Sequence, residues 1–342
     1  MYLLLLGACS GAVEEDENSR STHERTVSAP VYQRVGGELL PDPPKLDELQ
    51  PTGRLSERLF ALYTPTDTFF EPYLEVLLSD GRAGWVYARP DYFPQFAQDD
   101  RSVWQAENRI QALLGPNRLR EYRAYRQVWT QAASGQANPL LVQAYRSAVD
   151  FRDELQAILA IYPEQPLTAD QWESMLPGTQ CHLEEGRPRW WIDYRQWLAA
   201  AQAIGDTEAA QLFALYCQAF PQDSIEYYYP VWRIAETPRV QHSLLGRYIH
   251  LKFLRALDTM AKFTSLAGIA AADLQQAILE DILRADNTYW EEPAKILAEM
   301  DTILLSGKPR LDPALTESLQ RRRAAFAGGK ARMNVRAGQL AD

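Results

Sequence analysis

Three groups of residues in this chain have the types and spacing for chemistry. Glu184, Glu185 and Asp193 flank the pair Trp190-Trp191, and glycoside hydrolysis needs two carboxyl groups at a set separation. Acidic pairs on loops also serve as plain solvated charge, and both readings stand for this group. His242 and His250 are eight residues apart, on similar sides of one helix if the stretch is helical. Two imidazoles without an adjacent carboxylate or cysteine make a poor metal site, so no metal is expected. Cys181 and Cys217 either close a loop of thirty-odd residues with a disulfide or sit as separate buried thiols; a bridge would contribute about 3 kcal/mol. The chain lacks a Gly-x-Ser-x-Gly elbow, a phosphate-cradling Gly-Lys-Ser/Thr loop, a His-Glu-x-x-His pair and a dinucleotide fingerprint. No catalytic residue is therefore assigned, and no cofactor is implied.

Helices must position most of these residues. From Ser102 to Phe326 Ala, Leu, Gln, Glu and Arg dominate. Breaks fall at Gly115-Pro116, Ser134-Gly135, Pro163 and Gly205. Thr168 to Gln171 resembles a capping box, Asp206 is placed to cap a helix running to Phe220, and Asp312-Pro313 starts another. Val240 to Ser265, Ala271 to Ala285 and Trp290 to Leu305 read as further helices, about nine in all, without a repeated signature. Between Trp172 and Trp232 aromatics are dense: Trp172, Trp190, Trp191, Tyr194, Trp197, Tyr216, Tyr227 to Tyr229 and Trp232. Such rings stack on sugar faces. The three- and four-residue spacing of Trp190, Tyr194 and Trp197 is equally that of a helix face entering a core.

Composition limits the function classes. The chain has 342 residues, 46% of them hydrophobic, with 35 basic against 45 acidic side chains and a net charge of −10. The length suits about two folded units, and no run reaches the roughly 20 apolar residues of a membrane-spanning helix. An acidic chain lacks the many phosphate contacts of sequence-independent nucleic-acid binding, so no nucleic-acid partner is expected. The basic residues from Arg321 to Arg336 suit either contact with anionic headgroups or a helix end that favours cations.

Met1 to Ala8 is apolar and ends in small residues before Cys9. Leu6-Gly7-Ala8-Cys9 resembles the bacterial lipobox, which implies cleavage of residues 1–8 as a signal peptide and diacylation of the Cys9 thiol. Two or three acyl chains anchor a protein durably where one does not. Residues 9–24 then read as a solvated acidic tether. Glu14-Glu15-Asp16-Glu17 resembles a surface-export signal of some bacterial lipoproteins, or simply keeps a linker extended. Ser10 does not resemble the aspartate that retains lipoproteins in the inner membrane. The implied location is the cell envelope, lipid-anchored at the outer membrane on its periplasmic or outer face.

Between Arg25 and Phe93 residues turn β-branched, aromatic and punctuated by Pro and Gly. Leu74, Val76 and Leu78 alternate before Asp80-Gly81, and Arg82 to Arg89 returns as a partner strand. Tyr73-Leu74-Glu75-Val76 followed by Ser79-Asp80-Gly81-Arg82-Ala83-Gly84-Trp85-Val86 resembles the signature of bacterial SH3 domains. The resemblance covers about a fifth of the chain and implies a small barrel, with Trp85 over its open end. Ala29-Pro30-Val31-Tyr32 would be its first strand, and the stretch holding Pro41, Pro43, Pro44 and Pro51 an enlarged loop. Family members bind cell-wall peptides or other short ligands, which makes Tyr32, Tyr73, Trp85 and Tyr87 the candidate ligand-binding residues; in so small a domain they equally suit its core.

The expected fold class is α+β multidomain, a small SH3-like β-barrel over residues 25–95 followed by a larger all-α domain over 100–327. That domain reads as a helical bundle or helical hairpins, with a disordered basic tail over 328–342. The expected function is non-catalytic binding or scaffolding in the envelope, with the membrane as one partner and peptidoglycan, a peptide or an envelope protein as the other. The alternatives are a glycan-active hydrolase using residues 184–197 and a purely structural member of an assembly.

Overall fold

Asp80 and Gly81 turn the chain as their residue types require. Gly81 N donates to Leu78 O at 2.9 Å and Asp80 Oδ1 accepts from Arg82 N at 3.0 Å. The strands so joined are β2 (Thr68–Leu77) and β3 (Ala83–Tyr87), and with β1 (Gln50–Tyr63) they form a three-stranded sheet in the order β1-β2-β3. This computed structural model describes residues 29–42, 44–63, 68–89, 92–93, 101–161, 175–184, 187–221, 229–237, 240–260, 262–263, 265–305, 311–329 and 334–335. Cys9, the acidic tether and the Thr168 to Gln171 capping box lie outside them.

The expected barrel is corrected here: among the described residues the three-stranded sheet is open. Tyr32 adds only isolated bridges, to Leu39 and to Trp85. Prolines explain this, because residues without an N–H cannot supply the continuous ladder that another strand requires. Pro41 and Pro44 lie in bends and irregular chain ahead of one 3-10 turn, Leu46–Glu48, while Pro51, expected in the loop, is the second residue of β1. Trp85 is half-buried, and its main chain exchanges two 2.8 Å hydrogen bonds with Tyr32.

The chain divides into two compact units. The first takes in the described residues up to Thr52 together with Glu75–Val86. Its interior holds Val31, Val76 and Val86. Gly84 is needed there, because a Cβ on it would meet Val31 Cγ1 at 2.6 Å. The second unit comprises Gly53–Leu74 and the described residues from Tyr87 onward. It ties its strand segment to its first helix through a buried ion pair, Arg109 Nη2 to Glu71 Oε1 at 2.6 Å, with Gln105 Nε2 on the same carboxylate at 2.9 Å.

That helix is α1 (Arg101–Ala133), which kinks at Gly115-Pro116 where the sequence breaks. It packs on α2 (Leu141–Ile161). The chain then forms a hairpin, β4 (Thr179–Glu184) with β5 (Arg187–Ile192), against α2. Next come α3 (Tyr194–Ala203) and α4 (Thr207–Ala219), capped by Asp193 and Asp206. Two strands follow, β6 (Arg233–Thr237) and β7 (Val240–Ser243). Helices α5 (Ile249–Met260) and α6 (Leu266–Leu283) lead to β8 (Thr288–Tyr289). Helices α7 (Pro293–Leu305) and α8 (Pro313–Ala327) precede β9 (Asn334–Val335).

The region expected to be all-α therefore carries a β-hairpin and a four-stranded sheet, and the architecture is mixed α and β. In the order β6-β7-β8-β9 the first pair is antiparallel and the other two are parallel. The expected helix from Val240 begins instead at Ile249, because Val240–Ser243 pairs with β6, and Trp191 belongs to β5 rather than to the following helix.

The core is rich in aromatics. Trp197 is fully buried against Trp129, Tyr145 and Phe213, with its Nε1 donating to Gly178 O at 2.9 Å. Gly178 has φ 74°, and a Cβ there would meet Trp197 Nε1 at 2.7 Å and Trp129 Cζ3 at 2.9 Å. Gly178→Ala thus combines left-handed backbone strain with overpacking and is expected to cost about 2–4 kcal/mol. Urea unfolding measures it, and a loss under about 1 kcal/mol would contradict this packing.

Candidate functional site

Ionisable side chains stand on the apolar stripes of three helices. His250 shares the stripe of Phe253, Leu254 and Leu257 on α5; Asp281 that of Leu274, Ile278 and Ile282 on α6; Glu299 that of Ile296, Met300 and Ile303 on α7. Burying a charge is unfavourable unless it is paired and hydrogen-bonded; Asp281 and Glu299 are hydrogen-bonded and His250 is bonded through Nε2, while His250 Nδ1 has no hydrogen-bond partner among the described residues. His250 and Glu299 are 0% exposed and Asp281 6%.

Asp281 is the hub. Its Oδ1 accepts from Arg233 Nε at 2.7 Å, and its Oδ2 accepts from Ser243 Oγ at 2.6 Å and faces His250 Nε2 at 2.8 Å. The β6–β7 register places Arg233 opposite Ser243 and Ala235 opposite Gln241, so Arg233, Gln241 and Ser243 share one sheet face. Arg233 Nη1 reaches Gln241 Oε1 at 3.1 Å, and Nη2 reaches Asn287 Oδ1 at 2.7 Å. Asn287 Nδ2 returns to the main chain at Asp281 O, 2.6 Å away. Burial alone would raise the Asp281 carboxyl; hydrogen bonds from His250 and Ser243, with the positive charges of His250 and Arg233, outweigh it and hold the group below its ordinary value.

Glu299 sits behind His250, with Oε1 4.0 Å from Nδ1. Its carboxylate accepts from three main-chain N–H groups at the start of α5, Gly246 at 2.6 Å, Tyr248 at 2.8 Å and Leu251 at 3.1 Å. An internal carboxylate thus satisfies a helix N-terminus, and it holds the turn in which Tyr248 takes φ 62°.

Arg233 and Asp281 open onto a cleft of about 620 Å³, lined also by Phe220, Pro230, Trp232 and Leu283. A second hollow of about 250 Å³ shares Arg233, Gln241 and Arg284 with it and adds Asp286, Asn287 and Thr288. The cleft lining mixes apolar side chains with planar polar ones, the composition of a small-molecule or ligand-end site. Phe220 is half-buried and packs edge-on against the buried Trp232, ring centroids 5.9 Å apart.

Of the residues singled out from the sequence, Trp232 lines this cleft and His250 lies in the network beneath it; the other described ones lie elsewhere. Tyr73 and Tyr87 stack at 4.4 Å inside the second unit, 3% and 6% exposed, and Tyr87 Oη donates to Ala61 O at 2.9 Å. Tyr32 and Trp85 are the main-chain pair of the first unit. Glu185 and the Glu184 side chain lie outside the described residues. Asp193 is a structural cap: Oδ1 accepts from Arg195 N and Gln196 N, and Oδ2 from Gln180 Nε2 at 2.8 Å and Gln196 Nε2 at 2.9 Å. Trp190, Tyr194 and Trp197 are core residues. Cys181, on β4, and Cys217, on α4, are thiols in this structure, buried and half-buried, and burial pushes the Cys217 thiol up. His242 lies on β7 between Thr288 Oγ1 at 2.8 Å and Glu236 Oε2 at 3.1 Å, and His250 is in the network. The described residues hold no metal-ligating cluster. Comparison of the chain with protein-family models, curated proteins and solved structures gives no match.

Proposed function

We propose that this chain is a lipid-anchored protein of the bacterial cell envelope that works as a non-catalytic binding or scaffold module, its ligand seated in the cleft over Arg233. The observation that carries the reading is the buried network beneath that cleft. Ser243 and His250 both end on the Asp281 carboxylate instead of on each other. A serine nucleophile needs its base at Oγ, whereas this arrangement fixes Asp281 and, through it, Arg233 at the cleft wall. A rigid, pre-placed polar group lowers the entropic cost of binding.

The location rests on Leu6-Gly7-Ala8-Cys9 and the acidic tether. No helix of the described residues is long and apolar enough to cross a membrane; in this reading the attachment is by acyl chains on Cys9. The partner is envelope material: peptidoglycan, a peptide or an envelope protein.

Cosedimentation of the purified full chain with isolated, detergent-washed cell-wall sacculi and with envelope extract tests the reading. Retention of the wild type is expected, reduced about tenfold in Phe220→Ala, with no soluble sugar or peptide released. Retention that is equal in the variant, or steady release of fragments, would overturn it.

A further inference from the structure

We propose that the cleft takes an uncharged, hydroxyl-rich ligand, a pyranose residue of a glycan, with one ring face on Phe220 and Pro230 and its hydroxyls toward Arg233 and Gln241. This rests on the cleft being the binding site and adds the chemical class of what enters it.

Charge makes the first selection. Both cations of the described lining already have a carboxylate at contact distance, Arg233 Nε at 2.7 Å from Asp281 Oδ1 and Arg284 Nε at 2.9 Å from Asp286 Oδ1. The remaining formal charge of the lining is Glu280, which accepts from Gln276 Nε2 at 3.0 Å. An acidic ligand would find Arg233 held by the internal Asp281 carboxylate, would compete with the exposed Asp286 for Arg284, and would approach Glu280. A cationic ligand would gain only an exposed ion pair, which contributes little. A neutral polar ligand meets neither obstacle.

Shape and hydrogen-bonding capacity make the second. The guanidinium of Arg233, the amides of Gln241 and Asn287 and the carboxylate of Asp281 are planar groups, and the Thr288 hydroxyl joins them. Asp281 and Asn287 are buried and spend their side-chain atoms within the network, so what the described lining turns to the cleft is the outer edge of the Arg233 guanidinium and the Gln241 amide nitrogen, neighbouring donors that suit vicinal hydroxyls. Their positions are fixed by the network, with Arg233 Nη2 on Asn287 at 2.7 Å and Nη1 on Gln241 at 3.1 Å. The same lining holds Phe220, Pro230, Ala277 and Leu283, apolar surface for the C–H face of a sugar ring. The volume of about 620 Å³ is in the range of ligand sites and exceeds what a single small ion fills.

Calorimetric titration of the purified full chain with the uncharged N-acetylglucosamine trimer tests this. Saturable binding is expected, changing less than about twofold between about 50 and about 500 mM salt, because no net charge is neutralised. Phe220→Ala and Gln241→Ala should each weaken it about tenfold, while Gln143→Ala, in the separate groove between α1 and α2, leaves it unchanged. Circular dichroism of each variant confirms that it is folded, and Gln241→Ala replaces a half-buried polar side chain outside the apolar core. Absence of trimer binding, or binding indifferent to both cleft variants, would overturn the proposal. So would a preference for muramoyl dipeptide or inorganic phosphate lost at high salt. If the trimer fails but sacculus retention is still lost in Phe220→Ala, the sugar assignment alone falls and the binding site stands.

Discussion

Asp281→Ala is expected to lower folding stability by about 3–5 kcal/mol and the thermal midpoint by roughly 10 °C. The expectation follows from what the substitution leaves behind. Arg233 Nε, Ser243 Oγ and His250 Nε2 all converge on this carboxylate at 2.6–2.8 Å. The His250 side chain is fully buried and that of Arg233 is 17% exposed. Removing the acceptor strands Ser243 and His250 in the interior and leaves Arg233 unpaired at the cleft wall, which costs more than the same change at a surface pair. The loss should carry a pH signature. Because the folded carboxyl is held below its ordinary value of 3.8, the wild-type advantage over Asp281→Asn is complete above that value. It disappears as pH falls through the lower folded pKa. Urea titration of both variants across acidic pH measures this, and an alanine variant within about 1 kcal/mol of wild type would show that the network does not hold the region.

Arg109→Leu is expected to cost a similar 3–5 kcal/mol, whereas the double replacement Glu71→Leu with Arg109→Leu should recover most of it. Glu71 is 0% and Arg109 3% exposed, and two guanidinium contacts, at 2.6 and 3.2 Å, hold the carboxylate. Burial pushes the Glu71 carboxyl above its ordinary range against the pull of Arg109. Without the arginine only Gln105 of its two helix partners remains. A double-mutant cycle by thermal and urea unfolding separates the two cases. Strict additivity of the single losses would contradict a direct coupling between strand and helix.

Local chemistry made part of this fold legible. Gly115-Pro116 breaks α1, Asp206 Oδ1 caps α4 through Ala209 N, Asp312 Oδ1 caps α8 through Leu315 N, and Asp80-Gly81 turns the hairpin. Each is a short-range signal with one physical solution. The four-stranded sheet was not legible, because β8 and β9 have two residues each and neither shows a period of two. Val240–Ser243 is too short and too polar to declare a strand by itself, and pairing with β6 is what makes those four residues one. The barrel was over-read from a hairpin motif, since a turn and its two strands determine a hairpin and not the closure of a sheet.

The site was hidden for a different reason. Arg233, Asp281, Asn287 and Glu299 form no sequence motif, and the nearest histidine to His250 in the sequence, His242, is not its partner. A signal did exist: His250, Asp281 and Glu299 each occupy a position where the helix period calls for an apolar residue. A charge on an apolar stripe must find a partner inside the protein, and three such charges on neighbouring helices point to one shared network. The conspicuous aromatics went mostly to packing, with Trp190 and Trp197 in the core and Trp232 behind Phe220.

Attachment to the envelope is the claim on which partner and ligand both depend, and metabolic labelling tests it most directly. The full chain, expressed in a bacterial host supplied with radiolabelled palmitate, should incorporate label and sediment with membranes, and Cys9→Ser should abolish both. An unlabelled wild-type chain recovered from the cytosol would contradict the account.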